Sequence, residues 1–207
     1  YKIAEKAIRG DGGISFILEK NNKKIPQINL KIGGEYNIFN AIFCIQVCEK
    51  LGLEIEEIIK GLETFIGVRK RCEKIFSKFI FNVFIDYAHH PKKIKKSANY
   101  FKKICKGKCV AIFQPHTYSR TKLLYEDFIK SLSIFDEIIC YKTYPAREIP
   151  DMGYDEIKLA EGLRDKSKIV YTCKEQNEVR EILKKYNKDD LIVFLGAGDL
   201  PDKFNFS

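Results

Sequence analysis

The sequence predicts an α/β protein whose larger part is a Rossmann-like, mostly parallel sheet. From about Lys74 onward, short apolar runs of strand length alternate with stretches of helical periodicity. Strands joined by crossover helices form a parallel sheet covered on both faces. The polar loops follow the strands, and in open α/β sheets ligands sit beyond the carboxyl ends of the strands. The composition supplies the core: of 207 residues, 45% are hydrophobic and 31% charged, which excludes a disordered or collagen-like chain.

Taken in order, residues 14–18 and 28–32 read as a hairpin, because they flank the turn-prone Lys20-Asn21-Asn22-Lys23. Gly10-Asp11-Gly12-Gly13 precedes a strand instead of opening a helix, so it reads as a turn and not as a dinucleotide fingerprint. Residues 37–51 are apolar nearly all round, which predicts a deeply buried helix ending near Gly52. Residues 54–65 form an amphipathic helix with Ile55, Ile58, Ile59, Leu62 and Phe65 on one face. Gly67-Val68-Arg69-Lys70-Arg71 then breaks the periodicity, and a domain junction is placed there, with residues 1–67 before it and 68–207 after it. Strands are expected at 81–85, 109–113, 138–141, 169–171 and 191–195. Between them, Ile94, Ala98, Phe101 and Cys105, and again Val179, Ile182, Leu183 and Tyr186, each mark one helix face.

The net charge of +9 favours acidic partners. The lysines occur in short clusters such as Lys92-Lys93 and Lys95-Lys96 on the polar sides of helices, without interleaved aromatics and arginines, so a solvated surface is expected and neither nucleic acid nor membrane. The longest apolar stretch, near residues 38–47, is far shorter than the roughly 20 residues of a membrane span. Seven cysteines without a CxxC pair suit reduced, buried thiols in a cytosolic protein better than disulfides or zinc. The chain starts at Tyr1, which suggests a piece of a longer protein.

The loops after the strands hold the chemistry. Asp86-Tyr87-Ala88-His89-His90-Pro91 follows the first, Gln114-Pro115-His116-Thr117-Tyr118-Ser119-Arg120-Thr121 the second, Thr143-Tyr144-Pro145-Ala146-Arg147-Glu148 the third, and Gly196-Ala197-Gly198-Asp199 the last. All three histidines of the protein lie there. No metal site is expected, because adjacent histidines seldom converge on one ion and no HExxH-like spacing is present. Imidazoles, Arg120 and the helix starts after Pro91 and Ser119 favour an organic carboxylate or phosphate, while Pro91 as first helical residue and Ser119 as N-cap explain the same positions structurally. Asp86 has two readings: a carboxylate for ribose hydroxyls or a cation, or one tied to loop amides. Gly196-Ala197-Gly198 is a weak phosphate-loop signal, without a third glycine or an expected helix, and GxxxxGK[ST] is absent.

In this order, the segments DYAHHP at 86–91, FQPHTYSRT at 113–121, YPARE at 144–148 and GAGD at 196–199 closely resemble the Mur ligase family. Gly34-Glu35-Tyr36-Asn37-Ile38-Phe39-Asn40-Ala41 resembles the family's HNxxNA helix start, and Gly67-Val68-Arg69-Lys70-Arg71-Cys72-Glu73 its G-V-x-R-R-x-E junction. The resemblance covers nearly the whole chain. It implies the end of a Mur-ligase central ATPase domain followed by the complete C-terminal domain of a cytoplasmic enzyme of peptidoglycan synthesis, dependent on ATP and Mg2+. The implied reaction joins L-alanine to UDP-N-acetylmuramate: the muramoyl carboxylate takes the γ-phosphate to give an acyl phosphate, which the alanine amine displaces. A closing C-terminal domain would complete the site. A related ligase that recycles a murein tripeptide and a non-catalytic nucleotide- or anion-binding module are the alternatives.

Carried over by position, the resemblance implies that Asn37 and Asn40 contact adenine, that Asp86 contacts ribose, and that Arg71 reaches the ATP phosphate as the catalytic group. Tyr87, His89 and Arg120 would face the muramoyl-alanine end, where a guanidinium grips a carboxylate bidentately, while His116 and Arg147 would hold loops. Tyr36 stands in place of the usual histidine and Thr117 where some members carry a second arginine. The resemblance further implies that the phosphate-loop lysine, the magnesium ligands and the UDP-binding domain lie outside these residues, so the chain alone is not expected to catalyse ligation.

Overall fold

The computed structural model describes residues 1–75, 77–149, 153–166, 168–204 and 206. The chain divides into two compact units, Tyr1–Arg69 and Lys70–Ser207.

The first unit is a small antiparallel sheet under two helices. Strands β1 (Lys2–Ile8) and β2 (Ile14–Lys20) pair through the glycine-rich turn. β2 then pairs with β3 (Lys23–Lys24) and β4 (Ile28–Leu30). Asn21 and Asn22 both take positive φ, 51° and 61°, the geometry a two-residue hairpin turn requires. Strand β1 shows no apolar alternation in its sequence because its residues are mostly exposed and it has no buried face. Alternate residues of β2, namely Ile14, Phe16 and Leu18, pack with Ile28 and Leu30 beneath helices α1 (Tyr36–Lys50) and α2 (Ile55–Thr64).

Helix α1 departs from the expectation of deep burial. Only Ile38, Ala41 and Ile45 are buried, whereas Phe39, Phe43 and Val47 are more than half exposed. A helix above a four-stranded sheet has one face to bury, and the opposite apolar stripe of α1 finds no neighbour within its unit. The cysteines divide similarly: Cys109, Cys140 and Cys173 are buried as expected, Cys48, Cys72 and Cys105 are half-buried, and Cys44 is exposed against the expectation of buried thiols.

The second unit is doubly wound. Its elements are β5 (Glu73–Ile75), β6 (Asn82–Asp86), α3 (Pro91–Ile104), β7 (Cys109–Phe113), α4 (Tyr118–Leu123), α5 (Tyr125–Leu132), β8 (Glu137–Tyr141), α6 (Glu156–Arg164), β9 (Ile169–Cys173), α7 (Gln176–Leu183), β10 (Leu191–Leu195) and α8 (Leu200–Lys203). The sheet order is β5-β6-β10-β7-β8-β9, with every neighbour parallel except the edge pair β5–β6. The last strand, β10, therefore lies between the two strands whose following loops carry the histidines. Its residues are all buried, as are those of β7 and β8, which explains why they read as unbroken apolar runs. Short β5 was not anticipated, since three residues are too few for a periodic signal.

Two local expectations are corrected. Thr117, not Ser119, is the N-cap of α4, and its side chain accepts from Arg120 N at 3.4 Å. A short helix, α8, does follow the glycine pair.

Candidate functional site

The carboxyl edge of the parallel strands is organised around Asp86, Gln114 and Arg120. Asp86 ends β6 and is 7% exposed. Its Oδ1 accepts from Ala88 N at 2.9 Å, and its Oδ2 from Cys72 Sγ and Ser97 Oγ, both at 3.0 Å. The carboxylate is thus tied to its own loop, to α3 and to the junction. Of the two sequence readings, the tie to loop groups is the one the geometry displays.

Arg71 is exposed on that junction between Lys70 and Cys72, which have φ of 60° and 48°. Two neighbouring side-chain-bearing residues in the left-handed region persist only where the surroundings hold them. Lys70 is held at three points: its N–H donates to Glu73 Oε2 at 2.7 Å, its carbonyl accepts from Tyr87 N at 2.6 Å, and its Nζ pairs with Asp202 at 2.6 Å. Arg71 therefore projects from a fixed backbone.

His89 and His116 have opposite tautomers. The Tyr87 carbonyl can only accept, so His89 donates from Nδ1 across 2.8 Å and its neutral ring keeps Nε2 as an acceptor. A guanidinium can only donate, so His116 accepts through Nδ1 from Arg120 Nη1 at 3.3 Å. Burial, reinforced by the Arg120 charge, pushes both imidazoles below the ordinary histidine value and favours their neutral forms. The His89 ring meets Tyr87 edge-on at 5.1 Å and lies 6.3 Å from the His116 ring, which stacks on Tyr144 at 5.4 Å. Tyr87 itself is 43% exposed.

Arg120 rides on α4, whose start is held from the next loop. Glu148 accepts from Ser119 N at 2.9 Å and from Ser119 Oγ, a carboxylate at a helix N-terminus where the dipole favours it. Those bonds hold the Glu148 carboxyl below its usual value. The Thr117 N–H donates to the Tyr144 carbonyl at 2.9 Å, fixing Thr117 at φ 68° and ψ 143°. Of the two residues expected to hold loops, His116 does so, whereas Arg147 is exposed and Glu148 makes the tie.

Gln114 is 2% exposed and joins three strand ends, donating through Nε2 toward Lys142 O and Asp199 Oδ1 and accepting from Leu200 N at 3.1 Å. A Cβ on Gly196 would lie 2.7 Å from the Gln114 carbonyl oxygen, and one on Gly198 2.1 Å from its Oε1. The glycine pair therefore makes room for Gln114, which accounts for it without a phosphate.

The edge of the second unit thus brings together Arg71, Asp86, Tyr87, His89, His116 and Arg120. Asn37 and Asn40 belong to the first unit, on the opening turns of α1. Asn37 Nδ2 donates to Gly33 O at 2.6 Å and Asn40 Nδ2 to Asn37 Oδ1 at 3.0 Å. Asn40 is exposed, so its amide can still both donate and accept, as recognition of an adenine edge requires. Among the described residues, no three His, Cys, Asp or Glu side chains converge as metal ligands. Magnesium therefore finds no ligand set among the described residues. Cys72, Gln114 and Glu148 were not singled out from sequence; a buried or loop-end polar residue was the available signal, but its partners are distant along the chain.

The doubly wound sheet thus gathers a guanidinium, two imidazoles of lowered pKa and helix starts at its carboxyl edge. The pattern described as "Mur ligase, glutamate ligase domain" matches residues 70–198, and the chain belongs to the Mur ligase family. It is 37% identical over 195 residues to a UDP-N-acetylmuramate--L-alanine ligase of Caldicellulosiruptor bescii, covering 92% of this chain and 42% of that protein. It is 34% identical over 204 residues to the same-named ligase of Lachnospira eligens, covering 97% and 44%. The chain thus spans about two fifths of the length of these curated relatives. The fold is similar to that of the UDP-N-acetylmuramate-alanine ligase MurC of Thermotoga maritima, with a TM-score of 0.79 at 24% identity over 97% of this chain and 43% of that one. It is also similar to a Mycobacterium tuberculosis folylpolyglutamate synthase solved with ADP and AMPPCP, with a TM-score of 0.72 at 17% identity over 94% of this chain and 45% of that one.

Proposed function

We propose that the chain is the C-terminal part of a cytoplasmic, ATP- and magnesium-dependent ligase that joins L-alanine to UDP-N-acetylmuramate in peptidoglycan synthesis. Residues 1–67 are then the end of its central ATP-binding domain and 68–207 its C-terminal domain. The observation that carries the reading is the pairing of an anion grip with a proton acceptor: Arg120, oriented by His116, and the Nε2 lone pair of neutral His89. An amino-acid substrate needs both, because its carboxylate must be neutralised and its ammonium must lose a proton before the amine attacks.

In this reading Arg120 holds the alanine carboxylate, His89 accepts the proton and Tyr87 walls the same end. Arg71, on its fixed backbone, meets the nucleotide's phosphate charge. Asn37 and Asn40 serve the adenine, and Asp86 the ribose, in addition to tying its loop. Bound ATP would supply the phosphoryl group that activates the muramoyl carboxylate. Arg120 and Arg71 act by charge neutralisation and alignment, the largest contributions available to a transfer of this kind.

The test is L-alanine-dependent release of phosphate from ATP by the full-length gene product with UDP-N-acetylmuramate. Release that depends on L-alanine is expected. Release that depends instead on a murein tripeptide, or on no amine, would overturn the assignment.

A further inference from the structure

Outside the edge already described, α1 carries two cysteines one helical turn apart, and their chemistry is used by nothing else in the unit. Cys44 is exposed and Cys48 half-buried, with Sγ atoms 4.0 Å apart. Helical residues at i and i+4 have Cβ atoms about 5–6 Å apart, whereas a disulfide needs about 3.5–4.5 Å. The helix therefore opposes a direct S–S bond. It permits a bridge through one atom, since two metal–sulfur bonds of about 2.3 Å meeting at a tetrahedral angle span about 3.8 Å between sulfurs.

We propose that Cys44 and Cys48 form a two-sulfur site for a thiophilic centre, either a trivalent arsenical or a soft metal cation. The donors set the class. Thiolates select soft centres, and no third His, Cys, Asp or Glu converges with them among the described residues, which excludes a closed four-ligand zinc site. A monosubstituted trivalent arsenical takes two thiolates and needs no more. Cys105 also lies beside a second thiol, Cys109, but Cys109 is buried, as are Cys140 and Cys173, and Cys72 donates to Asp86, so no other pair offers two sulfurs to a centre arriving from solvent among the described residues. Reaction with an aryl arsenoxide balances without redox change: two S–H bonds and the arsenic–oxygen bond break, two arsenic–sulfur bonds form, and water leaves with both protons. Burial and the hydrogen bond with Cys48 raise the Cys44 thiol, so a metal cation, which must displace that proton to solvent, binds more tightly as pH rises, whereas the arsenoxide carries both protons off in water. The site is independent of the ligase reading.

The test is intact-mass spectrometry of the folded 207-residue chain with stoichiometric phenylarsine oxide. One phenylarsenic adduct per chain is expected. Its apparent affinity should fall about 100-fold in either Cys44→Ser or Cys48→Ala, because each removes the intramolecular second bond, and should be unchanged in Cys105→Ser. No adduct, or one that survives both single substitutions, overturns the proposal. A parallel titration with cadmium reads the ultraviolet charge-transfer absorption of a cadmium thiolate. Absorption lost in the same variants extends the site to cations, and its absence overturns that half of the assignment.

Discussion

Arg120 is held at both ends. Its N–H donates to Thr117 Oγ1 and its guanidinium to His116, so the charged group is aimed before any ligand arrives. Arg120→Ala in the full-length protein is expected to lower kcat/KM on the order of 100-fold, the size of effect seen when one oriented donor is removed. Arg120→Lys should restore little, because an ammonium cannot reproduce the fork that meets His116 and a carboxylate together. An unchanged kcat/KM in the alanine variant would sink the assignment. The position of this residue at the carboxyl edge of the sheet was legible in sequence, since it follows an unbroken apolar strand. Its dependence on His116 was legible only as a polar loop residue in need of a partner. Cys72 was not legible at all, because its bond to Asp86 spans fourteen positions and exists only once β6 and the junction are packed.

The strands were read correctly where burial on both faces produces unbroken apolar runs, as in β7, β8 and β10. The pattern misled for α1, because an apolar residue is counted as buried whether or not the fold supplies a neighbour. Strand β10 makes a sharper claim. Gly196 just past its carboxyl end has φ of 137°, and a Cβ there would lie 2.7 Å from the Gln114 carbonyl oxygen. Gly196→Ala should destabilise the second unit by about 1–3 kcal/mol, since a Cβ there is both strained and obstructed; a urea midpoint equal to that of the parent would refute this. At the opposite edge, Glu137 opens β8 with a nearly buried carboxylate that accepts from Lys108, Lys185 and Tyr186. The two lysines can return to water if it is lost, but the buried Tyr186 hydroxyl cannot. Glu137→Ala should therefore cost about 2–3 kcal/mol, and Glu137→Gln less because an acceptor remains. Equal midpoints for the two variants would show that charge, not satisfaction of Tyr186, governs the site.

Linkage extends these local arguments to the acid stability of the whole molecule. His89 and His116 lie below their ordinary value because burial and neighbouring positive charge disfavour protonation. For a base whose folded pKa is lowered, the unfolded chain binds more protons between the two values. That part of the stability is complete above about pH 6.5 and is lost as pH falls toward the folded value. The carboxylates follow at lower pH. Burial works to raise Asp136, Glu137 and Asp199, but hydrogen bonds and charge from Lys102, from Lys108 and Lys185, and from Lys203 outweigh it and hold them low. Their contribution is present above their ordinary values of about 4 and disappears below them. Acidification also enlarges a net charge that is already +9 at neutral pH, adding self-repulsion in the same direction. Urea midpoints measured at about pH 7.5, 5.5 and 3.5 should thus fall in two steps, the first from the site edge and the second from the ion pairs. Replacing both His89 and His116 by Gln should remove the first step and leave the second. A midpoint that stays level between the first two pH values in the parent chain, or a first step that survives the double replacement, would show that the imidazoles do not carry it.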